Sequence, residues 1–176
     1  MRAHRGRRPC VVDTNVVVVA NARGGGSRSC ASSCAKALQR VRESGILILD
    51  DDKRILGEYF NNCPPFGEPG FGNSFVRWIH DNQGRHELVQ RIPITPRVDD
   101  PSDFAEFPKH EGLSKFDPSD RKFVAVANAH PGKPSILQAT DRKWWGWKDA
   151  LLECGIKVEF LCPAEIEEAY NRKFGQ

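Results

Sequence analysis

One repeated pattern constrains this chain more than any other: short β-branched apolar runs that stop at polar residues, each followed by a stretch whose apolar positions recur every three or four residues. Cys10-Val11-Val12 stops at Asp13-Thr14-Asn15, and Ile46 to Leu49 stops at Asp50, Asp51 and Asp52. Runs this short and apolar read as buried strands. Between them, after a valine-rich segment and the flexible break Gly24-Gly25-Gly26-Ser27, Ala31, Ala35, Leu38 and Val41 keep helical spacing until Gly45 ends it. Ile55, Leu56, Tyr59 and Phe60 mark the next helix. The pattern resumes with a helix from about Pro118 to Ala129, a strand from Ser135 to Ala139, a helix around Trp145 to Cys154, a strand from Lys157 to Leu161 and a last helix from Pro163. Strand and helix in alternation predict a parallel α/β sheet.

With 176 residues, 39% of them hydrophobic, the chain has the size of one compact domain spanning 1–176. Residues 61–117 form an irregular insert region. Within it Asn61 to Gly72 is rich in Pro, Gly and Phe and reads as a loop, Phe75 to Ile79 as one short helix, and Leu88 to Ile94 as a strand or an extended crossing. The acidic stretch from Asp99 to Phe116 is expected to be a mobile surface segment. A basic arm over residues 1–8, with Arg2, His4, Arg5, Arg7 and Arg8, either touches phosphates or is simply solvated. The net charge of +3 does not by itself argue for a nucleic-acid partner. No window approaches the roughly 20 apolar residues of a membrane helix, and no export leader is recognisable, so the chain is expected to be cytoplasmic with no membrane partner. The six cysteines show no two-residue zinc-knuckle spacing and read as reduced, mostly buried thiols; Cys30 and Cys34 read as small packing residues on one helix face.

In an open parallel sheet, ligands gather at the carboxyl ends of the strands. Asp13 and Asp141 each follow a predicted central strand and so belong to one rim. Asp120 lies in the first turn of its helix, ahead of the apolar Phe123, Val124 and Ala127, and that helix start faces the same rim. Glu58 joins them if its helix lies across the crevice. Four converging carboxylates repel and raise one another's pKa, so the ionised cluster needs cations. Hard oxygen donors without His or Cys favour Mg2+ or Mn2+ over zinc. One or two such cations acidify water for in-line attack on phosphorus.

The ordered motifs Val12-Asp13-Thr14-Asn15, Ile55-Leu56-Gly57-Glu58-Tyr59, Asp120-Arg121-Lys122-Phe123-Val124-Ala125-Val126-Ala127 and Ala139-Thr140-Asp141 resemble the acidic motifs of PIN domains, VapC-like nucleases among them. The resemblance runs from the first strand to the last. It implies a three-layer α/β/α sandwich with a mostly parallel central sheet and metal-dependent endonuclease activity, mostly on RNA. It also implies that Asp13, Glu58, Asp120 and Asp141 are the catalytic metal ligands, and that Asn15 and Thr140 orient the acids or a metal-bound water. The partners to expect are then RNA, an antitoxin protein if the chain is the toxin of a toxin–antitoxin pair, and a second copy in a homodimer.

Competing readings bear on several of these residues. Asp117-Pro118-Ser119-Asp120 is also a helix start, with Asp117 as N-cap, and Asp50 to Asp52 read as a solvated loop with a cap. Arg121, Lys122, Arg142 and Lys143 flank two proposed ligands, either holding substrate phosphates or standing as solvated charges. Trp144, Trp145 and Trp147 read as core or groove packing ahead of a base-stacking face. A haloacid-dehalogenase-like phosphatase needs an acid where Asn15 stands, and no Gly-Lys-Ser/Thr follows Gly24 to make a phosphate loop. The alternative from another class is a non-catalytic nucleic-acid or protein-interaction module on the same fold.

Overall fold

The computed structural model describes residues 6–175. Arg2, His4 and Arg5 of the basic arm therefore lie outside the described residues. Arg7 lies within them, its guanidinium donating to the carbonyls of Arg42 and Gly45 at 3.2 and 2.9 Å. The elements run β1 (Arg8–Val12), α1 (Thr14–Ala20), α2 (Arg28–Ser44), β2 (Gly45–Asp50), α3 (Arg54–Asn62), α4 (Phe71–Asn82), β3 (Val89–Ile92), α5 (Arg121–Ala129), β4 (Ser135–Gln138), α6 (Arg142–Glu153), β5 (Val158–Phe160) and α7 (Pro163–Phe174). All strand pairs are parallel, in the order β3-β2-β1-β4-β5. Parallel crossovers are right-handed, so the connections running from β1 out to β3 and those running the other way to β5 cover opposite faces. The fold is a three-layer α/β/α sandwich.

Strand order explains the runs of apolar sequence. β1 lies between β2 and β4 and is covered on both faces, which leaves Val11 and Val12 no exposure to water. The register pairs Val12 with Leu137, and the Asp13 amide continues the ladder to the Leu137 carbonyl at 3.0 Å. The carboxyl ends of β1 and β4 are thus level, and whatever follows each strand emerges at one rim.

The valine-rich segment after Asp13 is helical. A run of β-branched residues favours a strand locally, but Asp13 caps α1 through its side chain and Val16, Val17 and Val19 are fully buried. Burial overrides propensity here. Helix α4 presses onto α1 closely enough that a Cβ at Gly72 would collide with the Val17 carbonyl, so only glycine fits at that crossing.

Within the insert region the expected helix at Phe75 to Ile79 is the 12-residue α4 and the expected strand or crossing after Leu88 is the edge strand β3, and α4 forms because Phe75, Val76 and Ile79 turn one face into the core. Two expectations are corrected. Asp99 to Phe116 is not a mobile surface segment. Phe104, Phe107, Leu113 and Phe116 are buried, and Asp103 bridges Arg97 and Arg121 at 3.0 Å each. The second correction concerns the thiols: Cys30 and Cys162 are joined as a disulfide, while Cys10, Cys34, Cys63 and Cys154 are free. The reason is topological, because β5 ends beside the first turn of α2 and brings together residues 132 apart in sequence, a proximity no local spacing reveals. Among the described residues no helix is long and apolar enough to cross a membrane.

Candidate functional site

Asp13 ends β1 and caps α1. Its Oδ1 accepts from the Asn15 amide at 2.8 Å, whereas Oδ2 is buried with no hydrogen-bond partner, and the residue as a whole is only 5% exposed. A buried carboxylate oxygen without a donor is costly unless a proton or a cation meets it. Desolvation holds the Asp13 carboxyl well above the usual carboxylate range, and the negative charges of Asp120, Glu58 and Asp141 push it further, against a smaller opposing effect of the Asn15 amide. Those three acids are therefore the charged neighbours that Asp13 feels. The four sequence-predicted carboxylates share one electrostatic environment.

Asp120 stands at the start of α5, after a short 3-10 turn over Pro118–Asp120 that Asp117 caps. Burial raises its pKa to about 6; the Trp144 indole N–H, donating to Oδ2 at 3.2 Å, opposes that rise, while Asp141 and Asp117 add to it. Asp141 caps α6, with Oδ1 accepting from the Lys143 amide at 3.0 Å. Glu58 projects from α3, and its Oε2 lies 2.6 Å from the Lys122 ammonium. The side chains stand apart: no three of these carboxylates approach within 4.8 Å of one another.

What holds α3 across the rim is Tyr59, which sequence inspection placed only in the core. Its buried hydroxyl donates to the Val12 carbonyl, tying α3 to the end of β1 one residue from both Glu58 and Asp13. Asn15 plays a similar part on the other side. Its amide donates to the Gln138 side chain and its Oδ1 accepts from the Ala139 amide at 3.1 Å, so it braces the turn between β4 and Asp141. Gln138, fully buried, was not singled out from sequence; no local signal distinguishes it from any polar residue ending a strand. Thr140 does not touch the acids, and its hydroxyl donates to the Gly24 carbonyl at 3.3 Å.

The four cations proposed beside the ligands separate. Lys122 turns inward, 9% exposed, bonded to Glu58 and to the Ser119 carbonyl, so it is part of the acidic cluster and not a solvated hand for phosphate. Arg121 is committed to Asp103 at 3.0 Å and lies 5.2 Å over the Phe107 ring, pinning the insert. Lys143 pairs with Asp117 at 3.0 Å on the rim, and Arg142 opens α6 half-buried. The tryptophans pack as expected: Trp144 is fully buried, Trp147 lies against Phe116 and Trp145 against Phe160. Asp50 is a buried cap, accepting from the Arg54 and Ile55 amides at 2.9 Å each.

Hard oxygen donors, an orphaned buried Oδ2 and mutual repulsion fit a divalent cation of the Mg2+ or Mn2+ kind. The candidate donors are Asp13, Glu58, Asp120 and Asp141, whose side chains, as placed, would have to draw together for three of them to meet one ion. A hollow of about 790 Å³, lined in part by Asn21, Arg23, Asn62 and Asn73, contains none of these acids. Set against known proteins, the chain matches no family model, and no curated protein or solved structure is significantly similar to it.

Proposed function

We propose that this protein is a divalent-metal-dependent endoribonuclease of the PIN-domain kind, with its active site at the carboxyl rim of the sheet. The observation that carries this reading is the Asp13 carboxylate, which is buried, lacks a donor on Oδ2 and is ringed by the charges of Asp120, Glu58 and Asp141. A fold does not keep such a group for stability, because each of those charges opposes its ionisation. Bound among the four acids, Mg2+ or Mn2+ supplies positive charge that acidifies water and offsets the charge gathering on a phosphate during in-line displacement.

The chain's own residues do the positioning. Asn15 and Tyr59 fix the ends of β4 and α3 against β1, which sets the separation of Asp141 and Glu58 from Asp13. The Trp144 indole orients Asp120 and keeps it more acidic than burial alone allows. Lys122 limits the repulsion at Glu58.

The test is cleavage of end-labelled single-stranded RNA and DNA by purified protein with Mn2+ or with EDTA, beside Asp141→Asn. Cutting of RNA that requires the cation and is lost in the variant supports the reading. Binding without cutting under every condition favours a non-catalytic module, and preferential cutting of DNA overturns the choice of RNA.

A further inference from the structure

Past the carboxyl end of β5, a second group of side chains, none of them among the four acids, converges. The sulfurs of Cys30 and Cys34, one turn apart on α2, and of Cys162, at the start of α7, all lie within 4.8 Å of one another and are buried. Two independent contacts tie the same corner together. Ser27 caps α2 by accepting from the Cys30 amide at 3.0 Å, and Glu165, in the first turn of α7, accepts from the Ser27 hydroxyl and from its amide at 3.3 Å. The Glu165 carboxylate is close enough for its charge to be felt at Cys34, whose thiol is pushed up to about 12, mainly by burial.

A soft cation reverses this balance, because it binds the thiolate directly and displaces the proton. We propose that, in the reduced protein, Cys30, Cys34 and Cys162 hold a thiophilic divalent cation of the Zn2+ class whose fourth position is left to water, a metal centre that uses none of the four acids. The geometry suits it. Sulfurs about 2.3 Å from a tetrahedral zinc are separated by roughly 3.8 Å, inside the 4.8 Å that bounds all three, so once the disulfide is opened Cys30 and Cys162 need only part slightly. The Cα atoms of Cys30 and Cys162 are 5.4 Å apart, a distance that places both sulfurs within reach of one ion. The ion and the disulfide are alternative clamps between α2 and α7. Opening the disulfide takes two electrons and two protons from a dithiol reductant, which becomes a disulfide itself, and three thiol protons then leave to solvent as the ion binds.

The two centres differ in donor chemistry, so one probe separates them. Co2+ bound to thiolates gives a sulfur-to-metal charge-transfer band and intense tetrahedral visible bands, whereas Co2+ among carboxylates gives only weak absorption. Full-length protein is reduced until all six cysteines titrate as free thiols, freed of reductant under anaerobic conditions and titrated with Co2+, then with Zn2+. The expected result is a charge-transfer band saturating at one ion per chain and displaced by Zn2+. Cys34→Ser is expected to weaken binding at least tenfold, and Cys154→Ser or Asp13→Asn not at all. A fully reduced wild-type chain that develops no charge-transfer band overturns the proposal without calling on any variant. A band that survives undiminished in Cys34→Ser overturns the three-sulfur site.

Discussion

The two rims of the same sheet are built on opposite electrostatic terms. At the amino rim, where β1 and β2 begin, Arg7 donates to the carbonyls of Arg42 and Gly45 at the end of α2, where a cation is favoured by the helix dipole, and between α2 and β5 Arg40 pairs with Glu159 at 2.6 Å. At the carboxyl rim, Asp13, Asp120 and Asp141 face one another with Lys122 as the inward cation, and Lys122 is engaged by Glu58. Both rims terminate the same strands under the same packing, so the fold does not require the second arrangement. The carboxyl rim is where stability has been given up, as happens where a chain is shaped for a ligand.

The largest effect expected from breaking that contrast is at Asp13. Asp13→Asn keeps an oxygen for the Asn15 amide while removing a buried charge; it should cut metal-dependent cleavage by about a thousandfold, several kcal/mol of transition-state stabilisation. The same variant should melt at a higher temperature than wild type without metal. A fall in both measurements would make Asp13 a structural cap and erase the difference between the rims.

Trp144→Phe removes the donor that keeps Asp120 acidic. About a tenfold loss of rate is expected, with the acid limb of the pH–rate profile displaced to higher pH, the second readout separating lost orientation from lost packing.

Metal-free stability should depend on pH with a definite sign. Asp120 has its pKa raised from 3.8 to about 6, so the folded protein holds a proton that the unfolded chain releases. The stability this confers is fully present below pH 3.8 and is lost as pH rises through about 6; Asp13, shifted in the same direction, extends the loss upward. Asp117 and Asp100, both shifted down, act only at still lower pH. Thermal melts in EDTA should fall from pH 4 towards neutrality, and Mg2+ should restore stability at the neutral end only. The smallest effect is between α2 and β5, where Arg40→Ala breaks an exposed pair with Glu159 worth about 0.5 kcal/mol and should leave cleavage unchanged.

The parts of this architecture readable from sequence are those with a local physical signature. Asp13 and Asp141 were legible because a buried strand that stops at an acid announces its own end, and the Asp117-Pro118 start of the turn before α5 because capping is written in adjacent residues. Helix α1 was not, since four successive valines carry the local preference of a strand and become helical only against the packed interior. Tyr59, Gln138 and the Cys30–Cys162 pair act across 47, 123 and 132 residues respectively, through contacts that exist only once the sheet has set its strand order. Lys122 was misread for a related reason: helical spacing says which way a side chain leaves its helix, not whether an acid from another helix waits there.

That inward lysine would also change the character of the proposed ion uptake. With an ammonium already 2.6 Å from the Glu58 carboxylate, a divalent cation bound as proposed would compete with an occupant that is covalently part of the chain and never diffuses away. Its apparent affinity is then a difference between two attachments, and shortening or neutralising the tether at residue 122 should tighten the hold on the metal even as it loosens the empty fold.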